Sequence, residues 1–198
     1  WAHNLGVESI HIMTKNDFFE TLLSVSFFAV LYFLLYQVQV KVLSDFDFLP
    51  MASILFIPAG IKFLAMVVGQ GPGVVGIALG FALVEINAGK TLDLTAFLTH
   101  VLLWLVLPYA LLRGYLAKSD LKNDLTALTT YQLFVMAVIV SLTSSLVTQL
   151  YFFGLHDPQY PVLKGVWSMT IGDLSGIFLS LAFVVAMRRV FARRTRTN

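Results

Sequence analysis

Three charged residues stand inside apolar stretches, where a charge is costly, and they define the chemistry open to this sequence. Lys62 is the one charge in Phe48–Gly69, Glu85 lies near the end of the next apolar run, and Asp173 is inside the last. At the centre of a bilayer such a side chain costs about 2.5–3.5 kcal/mol on insertion scales unless it reaches the interface or finds a partner. Other polar groups accompany them. His100, Trp104 and Pro108 share one helical stripe, and Ser141, Ser144, Ser145 and Thr148 fall at i, i+3, i+4 and i+7, with Gln149 beside them. Hydroxyls and amides in hydrocarbon seek partners, so this stripe is expected to face a bundle interior or a wet cavity. The set suits binding and coupling. Lys62, Glu85, His100, Ser141, Ser145, Thr148, Gln149 and Asp173 are the candidate ligand-binding or coupling residues. No acid–base pair, nucleophile–base pair or metal motif stands at a supporting spacing. No catalytic residue and no metal ligand is therefore assigned, and the chain is not expected to be an enzyme. The loop His156–Pro161 has no diagnostic metal spacing either.

The elements that must position these residues follow from composition. The 198 residues are 58% hydrophobic and 12% charged, with a mean hydropathy of +0.83. A soluble domain cannot bury that much apolar surface, so the expected fold class is all-α, a polytopic membrane helix bundle. A spanning helix needs about 20 mostly apolar residues. Six runs approach that length: Phe18–Val40, Phe48–Gly69, Pro72–Ala88, Thr95–Leu112, Ala127–Phe153 and Val166–Met187. Residues 1–12 read as extraneous to the fold or disordered, 13–190 as one transmembrane domain, and 191–198 as a basic cytoplasmic tail. Arg113–Asp124 reads as a short interfacial helix or a solvated loop.

The charge distribution orients the bundle. Placing both ends in the cytoplasm puts nine basic residues inside (Lys15, Arg113, Lys118, Lys122, Arg188, Arg189, Arg193, Arg194, Arg196) and three outside (Lys41, Lys90, Lys164). That is a positive-inside bias. The arginine-rich end fits a topology anchor near anionic lipid better than a nucleic-acid patch. Membrane lipid is thus an expected partner and nucleic acid is not. In this orientation Asp173 is about 9 Å below Trp167 and His100 about 8 Å below Thr95, at helical rise. With Glu85 they fall in the outer half of the membrane, so a polar cavity opening outward with Lys62 at its floor is expected.

Glycine and proline mark the local geometry. Pro58 and Gly60 predict a kink or break that would act as a hinge one turn before Lys62. Gly69-Gln70-Gly71-Pro72-Gly73 predicts a tight turn. Gly76 with Gly80, and Gly172 with Gly176, are small-xxx-small pairs that predict close helix approach.

Two resemblances bear on function. Phe56-Ile57-Pro58-Ala59-Gly60-Ile61-Lys62-Phe63-Leu64-Ala65 through Gly69, then Gly76-Ile77-Ala78-Leu79-Gly80, resembles the MASE-type (membrane-associated sensor) domain of bacterial signalling proteins. Ile171-Gly172-Asp173-Leu174-Ser175-Gly176 looks like that family's closing helix. The six apolar runs are fewer than the helices that family usually has. In size, topology and glycine-rich helices it is also similar to the S components of energy-coupling-factor transporters. These resemblances imply a bacterial inner-membrane protein, a sensor-like or small-ligand-binding module that acts through a partner membrane or signalling protein. The alternatives are the substrate-binding subunit of a transporter and an accessory subunit of a larger complex. No cofactor is indicated.

Overall fold

The computed structural model describes residues 15–43, 47–49, 52–119, 128–154 and 159–194. The expectations for residues 1–12, for the loop residues 155–158 and for most of the segment after Lys118 lie outside the described residues. The first helix, α1, is Lys15–Val42. A small antiparallel pair follows, β1 (Asp47–Leu49) and β2 (Ala52–Ser53). Next come α2 (Ile57–Leu64), extended by a wide π-helical turn Ala65–Gly69, and α3 (Gln70–Asn87). Helices α4 (Leu94–Val101) and α5 (Leu107–Lys118) are joined end to end through a π-helical turn, Leu102–Val106. Helix α6 is Thr130–Val147, continued by the wide turn Thr148–Gly154, and α7 is Val162–Arg194.

The protein is helical, and five helical stretches are long and apolar enough to cross a membrane: Asn16–Val42, Ile57–Asn87, Leu94–Lys118, Thr130–Tyr151 and Val162–Arg189. Their outer faces fit that medium. Phe19 on α1 is 65% exposed and Phe183 on α7 64%. Exposed apolar surface on this scale is at home in lipid and not in water. The buried side is a continuous core through Tyr32, Phe63, Met66, Ile77, Met136 and Ile177. Local sequence sets the helix starts. Asp93 caps α4, its carboxylate accepting from the N–H groups of Thr95 and Ala96. Thr129 and Gln132 form a reciprocal capping box at α6.

The second stretch, Ile57–Asn87, is not a straight rod. Gln70 has φ 49°, a left-handed conformation uncommon for a residue with a Cβ. The chain folds back there, and a Cβ on Gly73 would strike the Ala65 carbonyl oxygen. Gly73 lets the two arms pass this closely, within the Gly69–Gly73 turn that the pattern predicts. Helix α3 then packs along α1, while α2 packs along α7 and α1.

Two expectations need correction. Residues 48–49 and 52–56 are not part of a helix, since the second helix starts at Ile57. Pro58 stands in the first turn of α2, where its missing N–H is no loss. It therefore starts a helix instead of bending one. Gly60 is also explained by packing: a Cβ there would strike Ser180 and the Gly176 carbonyl of α7.

Candidate functional site: a buried charge cluster below an aromatic cleft

Lys62 is fully buried. Side chains on a helix lean toward its N-terminus, so the Lys62 stem runs back toward the start of α2, and three groups from three other elements meet its ammonium. Lys62 Nζ donates a hydrogen bond to Ser144 Oγ of α6 at 2.9 Å. It forms an ion pair with Asp173 Oδ2 of α7 at 3.7 Å. It also lies 4.3 Å from the ring centroid of Trp104. A desolvated cation over an indole face gains about 2 kcal/mol. Ser144 Oγ in turn donates to the Trp104 carbonyl at 3.3 Å. That carbonyl lies in the Leu102–Val106 π turn, and turns of this type recur at functional sites. The expected alternative for Lys62, a stem bent to the interface, is not the one adopted.

The segment before α2 is held by one side chain. Gln39 Nε2 donates to the Leu55 carbonyl at 2.9 Å, and the Ile57 N–H donates to Gln39 Oε1 at 3.2 Å. Ser53 Oγ also donates to the Leu55 carbonyl, and the Phe56 N–H donates to the Gly172 carbonyl at 3.1 Å. Non-helical backbone inside a membrane protein persists where protein satisfies it, and these bonds do so. Gly172 and Gly176 make the approach possible. A Cβ at either would strike a backbone carbonyl, that of Ser53 or of Phe56. Their small-xxx-small face thus receives an extended strand, not the neighbouring helix expected of it. Gly76 and Gly80 do meet a helix. A Cβ there would come within 2.6 Å of the Val25 carbonyl oxygen and 2.7 Å of that of Ala29, both on α1.

A second polar region lies at the α3–α4 end. A cleft of about 170 Å³ is lined by Phe81, Glu85, Thr91, Leu92, Asp93, Ala96, Phe97 and His100. Its walls are aromatic. Phe81 stacks on His100 at 4.6 Å and on Phe97 at 5.9 Å between centroids. Glu85 at the rim pairs with Lys90 at 3.0 Å. Behind the cleft the rings continue: Trp104 lies 5.6 Å from His100, 5.7 Å from Phe81 and 6.1 Å from Tyr32.

The eight candidates therefore divide. Lys62 and Asp173 meet with Ser144, while Ser141, Ser145, Thr148 and Gln149 are fully buried on the same helix as Ser144. Glu85 and His100 line the cleft instead. The single cavity expected from depth alone is two regions, with Trp104 between them. Gln149 donates to Met169 Sδ at 3.7 Å and accepts from the Tyr160 hydroxyl at 2.7 Å. Partial burial pushes the Tyr160 phenol up from its ordinary value, so it stays protonated as that donor. Sequence reasoning missed Gln39 as the clamp on the α2 start. Its signal was weak, since Gln37 and Gln39 both stand near the end of a mostly apolar helix. Among the described residues no group of three or more His, Cys, Asp or Glu is placed to hold a metal. The chain matches no protein-family model, no curated protein and no solved structure.

Proposed function

We propose that this is a small-ligand-binding, sensor-like module of the bacterial inner membrane, with both termini cytoplasmic and the cleft on the outer side. In this proposal the non-helical residues 52–56 together with Ile57–Gly69 make one crossing and α3 makes the next, giving six spans. The positive-inside charge bias supports the orientation. One observation supports the function above the others. The rings that wall the cleft, Phe81 and His100, both contact Trp104, Phe81 tilted and His100 edge-on, and Trp104 lies beneath the Lys62 ammonium. A ligand that shifts Phe81 or His100 would disturb a buried charge held by α2, α6 and α7, and a partner protein would read the change. A second reading, the capture subunit of a transporter, is favoured by the interrupted backbone before α2, because discontinuous helices often border transport sites.

Native mass spectrometry of the gently solubilised protein tests the proposal. The wild type is expected to carry a small molecule that Phe81→Ala loses. Bare protein in both samples would overturn ligand binding. The chain has no cysteine, so Lys90→Cys and Lys118→Cys test the orientation with an impermeant maleimide. Lys90→Cys is expected to label in intact cells and Lys118→Cys only after lysis, and the reverse would overturn the assignment.

A further inference from the structure

The α6–α7 interface holds more polar oxygen than its neighbours satisfy. Ser141 and Ser145 on α6 and Thr148 in the wide turn that continues it are fully buried, and their hydroxyls have no hydrogen-bond partner among the described residues. The same is true of Thr170 and of both carboxylate oxygens of Asp173 on α7. Each unsatisfied buried group of this kind costs about 1–3 kcal/mol, so several together call for an occupant or a role.

The helix register brings four of them to two adjacent levels. Helices α6 and α7 are consecutive, packed together and antiparallel, and the Gln149–Met169 contact pins their alignment. Counting one residue back from Gln149 and one forward from Met169 along the antiparallel helices puts Thr148 and Thr170 at about the same height. About one turn further, Ser145 stands level with Asp173. Lys62 marks that same height, since it joins Ser144 of α6 to Asp173 of α7.

We propose that Ser145, Thr148, Thr170 and Asp173 form a site for a monovalent cation of the size and hardness of sodium, and that Lys62 competes with the ion for Asp173. The donors are all oxygens, which suit a hard cation. They include one carboxylate, which balances a single charge only when the ion displaces the Lys62 ammonium from it. A divalent ion would want more acids, and no such cluster occurs among the described residues. Lys62 is able to yield. Its contact with Asp173 is 3.7 Å, beyond hydrogen-bond length, while Ser144 at 2.9 Å and the Trp104 ring hold the ammonium from the other side. An ion on Asp173 pushes Lys62 toward those two partners. The site is separate from the cleft, so it stands whether or not the cleft binds a ligand.

The test is thermal unfolding of the intact detergent-solubilised protein, with sodium chloride or potassium chloride replacing choline chloride at constant ionic strength. The wild type is expected to gain a saturable rise in midpoint with sodium, larger than with potassium. Asp173→Asn is expected to lose it, and Thr148→Val, which keeps the shape but removes the oxygen, to weaken the apparent affinity. Lys62→Met separates this from a merely structural ion pair. Removing the competitor is expected to raise the apparent sodium affinity by about tenfold or more, the size of one lost charge contact. Wild-type curves that coincide in sodium and choline overturn the proposal. So does a Lys62→Met protein with no gain, or a Thr148→Val protein with unchanged sodium affinity. If Asp173→Asn does not fold, the Lys62→Met and Thr148→Val results decide.

Discussion

Two ion pairs among the described residues differ in the direction opposite to their lengths. Glu85–Lys90 is the shorter, at 3.0 Å, with its side chains 24% and 63% exposed. Lys62–Asp173 is the longer, at 3.7 Å, with both side chains 1% exposed. Water screens the first, so its contribution falls in the range of about 0–1 kcal/mol. The second lies in a medium that gives either charge little solvation, so losing one partner strands the other. Environment outweighs distance in setting what each pair does. The shorter pair trims the rim of a cleft, and the longer one ties α2 to α7.

The largest effect should come from stranding the buried cation. Asp173→Ala is expected to destabilise the detergent-solubilised protein by about 3–5 kcal/mol, read as a shift in its unfolding curve. A change as small as that of a surface acid would mean that water reaches Asp173. Replacing both partners, Lys62→Met with Asp173→Leu, is expected to recover most of that loss, because an apolar pair of similar volume removes the desolvation cost too.

Next in size is the close approach that lets α7 receive the strand before α2. Gly176→Ala places a methyl against the Phe56 carbonyl and is expected to cost about 3 kcal/mol, at the upper end for overpacking. Gly71→Ala meets nothing within 4 Å and serves as the control. Equal midpoints for the two variants would show that the strand does not sit on α7.

Gln39→Leu should fall below these. It leaves the Ile57 N–H without its acceptor and the Leu55 carbonyl with only Ser53, a loss of about 1–2 kcal/mol. Hydrogen exchange at Ile57 should rise in this variant while exchange in α3 stays unchanged. The smallest effect belongs to the exposed pair. Lys90→Ala is expected to change stability by less than about 1 kcal/mol, and less again at high salt. A larger loss in that unfolding curve would remove the contrast between the two pairs.

Much of the fold was legible because membrane helices announce themselves through composition. Long apolar runs, the Gly69–Gly73 turn and the small faces at Gly76 and Gly80 all carry local signals, and the structure follows them, except that the run from Phe48 becomes helical only at Ile57 and joins the next run in one stretch, Ile57–Asn87. The strand before α2 was not legible. Residues 48–56 are as apolar in sequence as a helix, and what holds residues 53–56 out of one is contact with Gln39, Gly172 and Gly176, residues remote in the chain. Lys62 was visible as a costly charge, but its partners were not, since Ser144 lies 82 positions away.

The sequence by itself determined that the chain is helical, that it suits a membrane, and that Lys62 and Asp173 need company there. Those properties follow from side-chain transfer energies, which depend on residue type and run length and hardly on neighbours. Tertiary structure decided which polar groups meet. Helix rotation and register sent Glu85 and His100 to a cleft and Lys62 and Asp173 to the core, and put Trp104 between them. A turn's rotation moves a side chain from one face to another without altering the hydrophobicity of the run that carries it, so composition could not choose among those arrangements.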